Sequence, residues 1–167
     1  VWEQFPNREF ESLRPTLVFS GLAGVAVALY IWVWPPGVLL LGILGLFFAA
    51  LMILQFQSGR SPEHVGIVAA IIGLVTALLT LVRITEVGLS ATKLSLLQPL
   101  LALGIVIAAV VIAGGARLWD QNDRDRWQLP AALAVAGSVF VVLLSVFSPD
   151  TVGYFSNQLT RIVGLGS

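Results

Sequence analysis

His64 and the run Asp120 to Asp125 are the residues of this 167-residue sequence with the types and spacing for cofactor or metal chemistry. His64 follows Glu63, and an imidazole at a membrane edge can ligate a haem or chlorophyll-type metal. A single histidine cannot supply bis-histidine ligation, and axial ligation also needs a dedicated pocket. An ordinary interfacial histidine is therefore the preferred reading, with His64 kept as the cofactor-binding candidate. The run DQNDRD resembles the oxygen-rich start of a calcium loop, but Arg124 falls on a ligand position and Asp125 stands where glycine is needed. Mutually compensating charges in a hydrated loop account for it with fewer assumptions.

Nucleophilic catalysis needs a base beside a serine or threonine, and only His64 has an imidazole. The chain contains neither G-x-S-x-G nor G-x-x-x-x-G-K. It also has no cysteine, which removes disulfides, thiolate chemistry and iron-sulfur ligation. These residues specify no catalytic group and no metal site, and the expectation is a chain that is not an enzyme.

The elements that would position such groups are membrane helices. The chain is 57% hydrophobic and 11% charged, against about 25% charged residues in a soluble domain. No charged residue lies between Arg14 and Arg60, His64 and Arg83, Lys93 and Arg117, or Arg126 and Asp150. A helix crossing a hydrocarbon core about 30 Å thick needs about 20 apolar residues. The first gap holds two spans separated by Pro35, Pro36 and Gly37, which favour a turn. The pattern predicts an all-α integral membrane protein, a five-helix transmembrane bundle with short loops, with spans at about 16–34, 38–56, 65–82, 94–116 and 129–147.

Both ends read as interfacial. Residues 1–15 mix charge with Trp2, Phe5, Phe10 and Leu13, and Pro15 suits the first turn of the first span. Val1 in place of Met is compatible with an initiator or short leader outside the sequence, and residues 1–15 are too polar for a signal peptide. Residues 148–167 place Val152, Phe155, Leu159, Ile162 and Val163 at spacings of three or four, the pattern of an amphipathic interfacial tail. Trp2, Trp32, Trp34, Trp119 and Trp127 all fall at expected span ends, where indoles anchor in the headgroup region. Arg8, Arg14, Arg60, Arg117, Arg124 and Arg126 lie on one side, with Arg83, Lys93 and Arg161 on the other. Positive charge concentrates on the cytoplasmic side, so the N-terminus is expected there and the C-terminus outside.

Helix association in lipid relies on close packing of small residues. Gly66, Ala70, Gly73 and Ala77 form a smooth stripe along the third span, which is expected to be central. Ionisable groups are absent from the span centres, which removes the usual parts of a proton-coupled transporter. Thr76, Thr80, Ser138 and Ser145 remain, and each can bond to the carbonyl one turn back.

Zero formal net charge argues against nucleic-acid binding. Membrane lipids and other membrane subunits are the expected partners, and lipid is the expected bound molecule. The expectation is a non-catalytic accessory or scaffolding subunit of a larger membrane assembly, acting through helix and lipid contacts. A small homo-oligomeric channel or carrier for a neutral or hydrophobic solute is one alternative. A pigment-, quinone- or lipid-binding module is another. Arg83, Glu86 and Lys93 on one face could contact a partner, although loop charges most often remain hydrated.

Overall fold

The computed structural model describes residues 5–85, 88–90, 93–121 and 127–134, with side chains from Arg14 to Asp120 outside the two gaps and again from Trp127. Trp2, Glu86, residues 122–126, residues 135–147 of the fifth expected span, and the tail 148–167 lie outside the described residues. Two compact units divide the chain, Val1–Arg124 and Asp125–Ser167. Within the second, residues 128–134 are helical, Trp127 is exposed and Leu129 is buried.

The first unit is all-helical in its regular structure: α1 (Phe5–Val33), α2 (Val38–Gln57), α3 (Glu63–Val82) and α4 (Leu97–Gln121). Each includes a stretch long and apolar enough to cross a membrane, so the chain is an integral membrane protein. α1 is unbroken from Phe5 and contains Pro15, which places part of the polar segment and the first span on one helix. Proline removes one donor, and so leaves the carbonyl one turn earlier, at Glu11, without its helical partner.

Two turns keep their backbone groups bonded. Residues Pro35–Gly37 form a 3₁₀ turn in which the Gly37 N–H donates to Trp34 O at 2.8 Å, after the Trp34 N–H has donated to Tyr30 O at 2.9 Å. Neither proline needs to donate there. At the end of α2, the Arg60 N–H donates to Gln55 O at 2.9 Å and the Gly59 N–H to Phe56 O at 3.1 Å. This is a Schellman stop, and Gly59, with φ of 77°, occupies the left-handed position that disfavours a Cβ.

α3 packs against α1, α2 and α4, which makes it the central helix of the first unit. Its buried positions, Val65, Gly66, Ala69, Ile72, Gly73, Thr76, Ala77 and Thr80, recur every three or four residues. α4 answers with Ala102, Ile105, Ala109, Ile112 and Ala116 at the same period, and α1 with Ser20, Gly24, Ala28 and Ile31. Outward positions are bulky and apolar, including Phe19, Leu46, Leu78 and Val110, as lipid contact requires.

The closest approaches occur at glycines. A Cβ on Gly73 would lie 2.8 Å from Ala102 O and 2.9 Å from Val106 Cγ2, so a methyl group would push α4 away. A Cβ on Gly24 would lie 2.8 Å from Val75 Cβ and 3.0 Å from Ile72 O, fixing the distance from α1 to α3 in the same way. In the expected small-residue stripe, Gly66, Gly73 and Ala77 are buried and Ala70 is half-buried.

The two threonines of α3 behave differently. Thr80 Oγ1 donates to the carbonyl one turn back, Thr76 O, at 2.8 Å, with Ala77 O also within reach at 3.1 Å. Thr76 Oγ1 instead donates across the interface to Gly24 O at 3.1 Å. The missing side chain at buried Gly24 lets the hydroxyl reach a carbonyl of α1, so the close approach and the interhelical bond depend on each other. The expected local bonding of Thr76 is thereby corrected.

Gly73→Ala should destabilise the bundle by about 1–3 kcal/mol through overpacking. Gly104→Ala, whose Cβ meets nothing within 4 Å, should be neutral or slightly stabilising. Thermal unfolding in mild detergent, reported by loss of helical circular dichroism, distinguishes the two.

Candidate functional site

The fourth helix begins three residues later than its hydropathy suggests, at Leu97, because Ser95 and Gln98 build a reciprocal cap at its start. The Ser95 N–H donates to Gln98 Oε1 at 2.8 Å, and Ser95 Oγ accepts from the Leu97 N–H at 3.2 Å. Serine followed three residues later by glutamine is a capping-box pair, satisfying donors that have no partner within the helix. Pro99 sits in the first turn, where a missing N–H costs little.

The same two side chains also hold the loop of residues 83–96 against the helix. Gln98 is fully buried, and its Nε2 donates to Lys93 O at 2.8 Å and to Ser90 O at 3.3 Å. Ser95 Oγ accepts from the Ser90 N–H at 3.0 Å and returns its proton to Ser90 O at 2.9 Å, with Gln98 Oε1 at 3.1 Å as the alternative acceptor. Farther out, Leu94 O accepts from both the Thr85 N–H and Thr85 Oγ1 at 3.0 Å, and the Leu96 N–H donates to Gly88 O at 3.1 Å. Among the described residues of the loop, these hydrogen bonds tie Thr85 to Leu94, Gly88 to Leu96 and Ser90 to Ser95 at one end of an apolar bundle.

Aromatic and cationic groups flank that loop. The Arg83 guanidinium lies 5.2 Å from the centroid of the Trp32 ring, within cation–π range. Tyr30 and Trp34 meet edge to face at 5.8 Å beside the tight turn. Arg83 and Lys93 are both exposed, so this end of the bundle has positive charge facing outward at the level of its aromatic side chains.

The opposite end carries Glu63 and Arg117, whose Oε1 and Nε are 3.6 Å apart with both side chains half or more exposed. A solvent-exposed pair of this kind contributes at most about 1 kcal/mol. Beneath it lies an open groove with a cavity volume of about 380 Å³, floored by Gly66, Ala70, Ala109 and Ala113. His64 is exposed on the first turn of α3. Among the described residues no three histidine, cysteine or acidic side chains come together to hold a metal. Trp119 is half-buried near the end of α4, and Trp34 is exposed at the hairpin.

Ser95 and Gln98 were absent from the candidates read from sequence. Their signal was present as S-x-x-Q preceding an apolar run, but it was absorbed into an expected span beginning at Leu94.

Comparison with known proteins places this bundle. No family model matches the chain. Over all 167 residues it is 42% identical to the dolichyl-monophosphooligosaccharide–protein glycotransferase AglB of Haloferax volcanii, of which it spans 16%. Its fold is similar to part of the archaeal oligosaccharyltransferase AglB from Archaeoglobus fulgidus, solved in complex with an inhibitory peptide and a dolichol-phosphate. That likeness has a TM-score of 0.70 at 22% identity, covering 90% of this chain and 18% of that one.

The whole-length match corrects two expectations. The reading as a non-catalytic accessory or scaffolding subunit is overturned, because every residue aligns within a protein named as a glycotransferase. The reading as no enzyme falls on the same finding. The absence of a catalytic constellation misled because the chain corresponds to about a sixth of that enzyme's length, and a reaction centre can draw its groups from the remainder.

Ser95→Ala removes the cap hydroxyl and its bonds to Ser90 and should lower stability by about 1–3 kcal/mol, whereas Ser58→Ala, exposed at the end of α2, should be nearly neutral. Denaturant titration of the two variants side by side is the check.

Proposed function

We propose that these helices form part of the membrane domain of an enzyme that transfers an oligosaccharide from a dolichyl-phosphate-type lipid carrier to protein. The observation carrying this reading is the 42% identity over the entire chain to a glycotransferase of that description. The helical likeness to an oligosaccharyltransferase solved with dolichol-phosphate supports it. In this reading the outward apolar faces of the bundle contact lipid, including the carrier's hydrocarbon chain. The loop of residues 83–96, with exposed Arg83 and Lys93, meets the carrier's phosphate at the membrane surface.

The same reading assigns Gly66, Ala70, Gly73 and Ala77 to helix packing and Trp32, Trp34, Trp119 and Trp127 to interfacial anchoring, with Trp2 as a further anchor outside the described residues. His64, exposed beside the Glu63–Arg117 pair, is assigned to the interface. The N-terminus is cytoplasmic, which puts the loop of residues 83–96 on the exterior.

Exchange of this segment into the Haloferax glycotransferase tests the activity. Glycopeptide formation within about tenfold of the parent enzyme, or about 1.4 kcal/mol in the barrier, is the expected result. Loss of transfer by a chimera that still folds and inserts would argue against the assignment.

Orientation has its own test, because the chain is free of cysteine. Leu89→Cys should react with a membrane-impermeant maleimide applied to intact cells, and Ser58→Cys should react only after lysis. The reverse pattern would invert the topology.

A further inference from the structure

We propose that Gln98 is a positioning residue that sets the geometry of the loop of residues 83–96 for binding the phosphate of the lipid carrier. The inference rests on the function proposed above and assigns the carrier's phosphate to a loop that buried Gln98, together with Ser95, ties to α4.

Gln98 is fully buried, and both halves of its carboxamide are committed. Oε1 accepts from the Ser95 N–H at 2.8 Å, on the helix side. Nε2 uses its two protons on Lys93 O at 2.8 Å and Ser90 O at 3.3 Å, on the loop side. Flipping the amide would set its NH₂ against the Ser95 N–H and its oxygen against two carbonyls, so the network admits one orientation. The cap of α4 and the closure of the loop are therefore one hydrogen-bonded unit.

A cap alone would need only the acceptor. The two additional bonds go to main-chain carbonyls, which anchors the chain to the helix at Ser90 and again at Lys93. The bond to Lys93 O holds the main chain from which the exposed Lys93 side chain extends, while Arg83 at the start of the loop is held over Trp32 at 5.2 Å. One cation held over an aromatic ring and a second on an anchored stretch of main chain suit the phosphate of a lipid whose hydrocarbon lies in the bilayer below. A mobile loop would present the same charges with a larger ordering cost on binding.

The test uses the full-length enzyme in lipid nanodiscs, with dolichyl phosphate as the probe. Gln98→Glu keeps an acceptor for the Ser95 N–H but turns an oxygen towards Ser90 O and Lys93 O, so it separates loop closure from helix capping. Amide hydrogen exchange over residues 88–95 should accelerate about tenfold or more, while residues 101–116 retain their protection. Dolichyl phosphate affinity should fall about tenfold, in keeping with two lost hydrogen bonds. Gly104→Ala, on α4 outside the network and with nothing within 4 Å of the added Cβ, should match the parent in both measurements.

Unchanged exchange in residues 88–95 would overturn the latch. A loosened loop with unaltered dolichyl phosphate affinity would overturn its role in carrier binding. Oligosaccharide transfer is assayed separately: an enzyme that binds dolichyl phosphate in a Gln98-dependent way but transfers nothing would defeat the proposed reaction and leave this inference standing.

Discussion

The close approach of α3 to α1 and α4 is the contact on which the described bundle depends. In hydrocarbon there is no water to expel between helices, so association draws on dispersion and on the few polar bonds that can cross an interface. Both require short distances. Gly24 and Gly73 provide them by leaving no room for a Cβ, and the Thr76 bond to Gly24 O is available only because α1 comes that near. The alternating Ile and Ala of α4 then fit the other side of α3 at the same three- and four-residue period.

Polar groups are distributed by a second constraint, the need to satisfy backbone donors and acceptors wherever the helix stops. The WPPG turn uses prolines that have no N–H to satisfy, and the end of α2 uses the left-handed Gly59 to close two carbonyls. At the start of α4 the solution is larger: Ser95 and Gln98 cap the helix and draw the preceding loop onto it. This network of buried side chains thus sits at one end of the bundle, near exposed Arg83 and its contact with the Trp32 ring.

A functional reading from these residues alone pointed away from catalysis, and the relatives corrected it. The chain spans 16% of the glycotransferase it aligns with, and a stretch of membrane helices within a longer enzyme can contain no reacting group. An apolar bundle with short loops therefore has the same composition whether it serves an enzyme or an assembly factor. Alignment over the full chain separates those cases where composition cannot.

Legibility in the sequence followed the range of the interactions. The charge-free gaps between Arg14, Arg60, His64, Arg83, Lys93 and Arg117 were enough to indicate membrane helices, because the length of a span and its exclusion of charge follow from the bilayer itself. The Pro35–Gly37 turn was likewise readable, since proline acts on its own backbone. Tertiary structure alone decided which helix each small residue touches, that Thr76 bonds to a partner helix while Thr80 bonds within its own, and that Gln98 reaches Ser90 and Lys93 as well as Ser95. These contacts depend on interhelical distance and on the path of a loop, quantities set by the packed bundle as a whole and carried by no single segment of the chain.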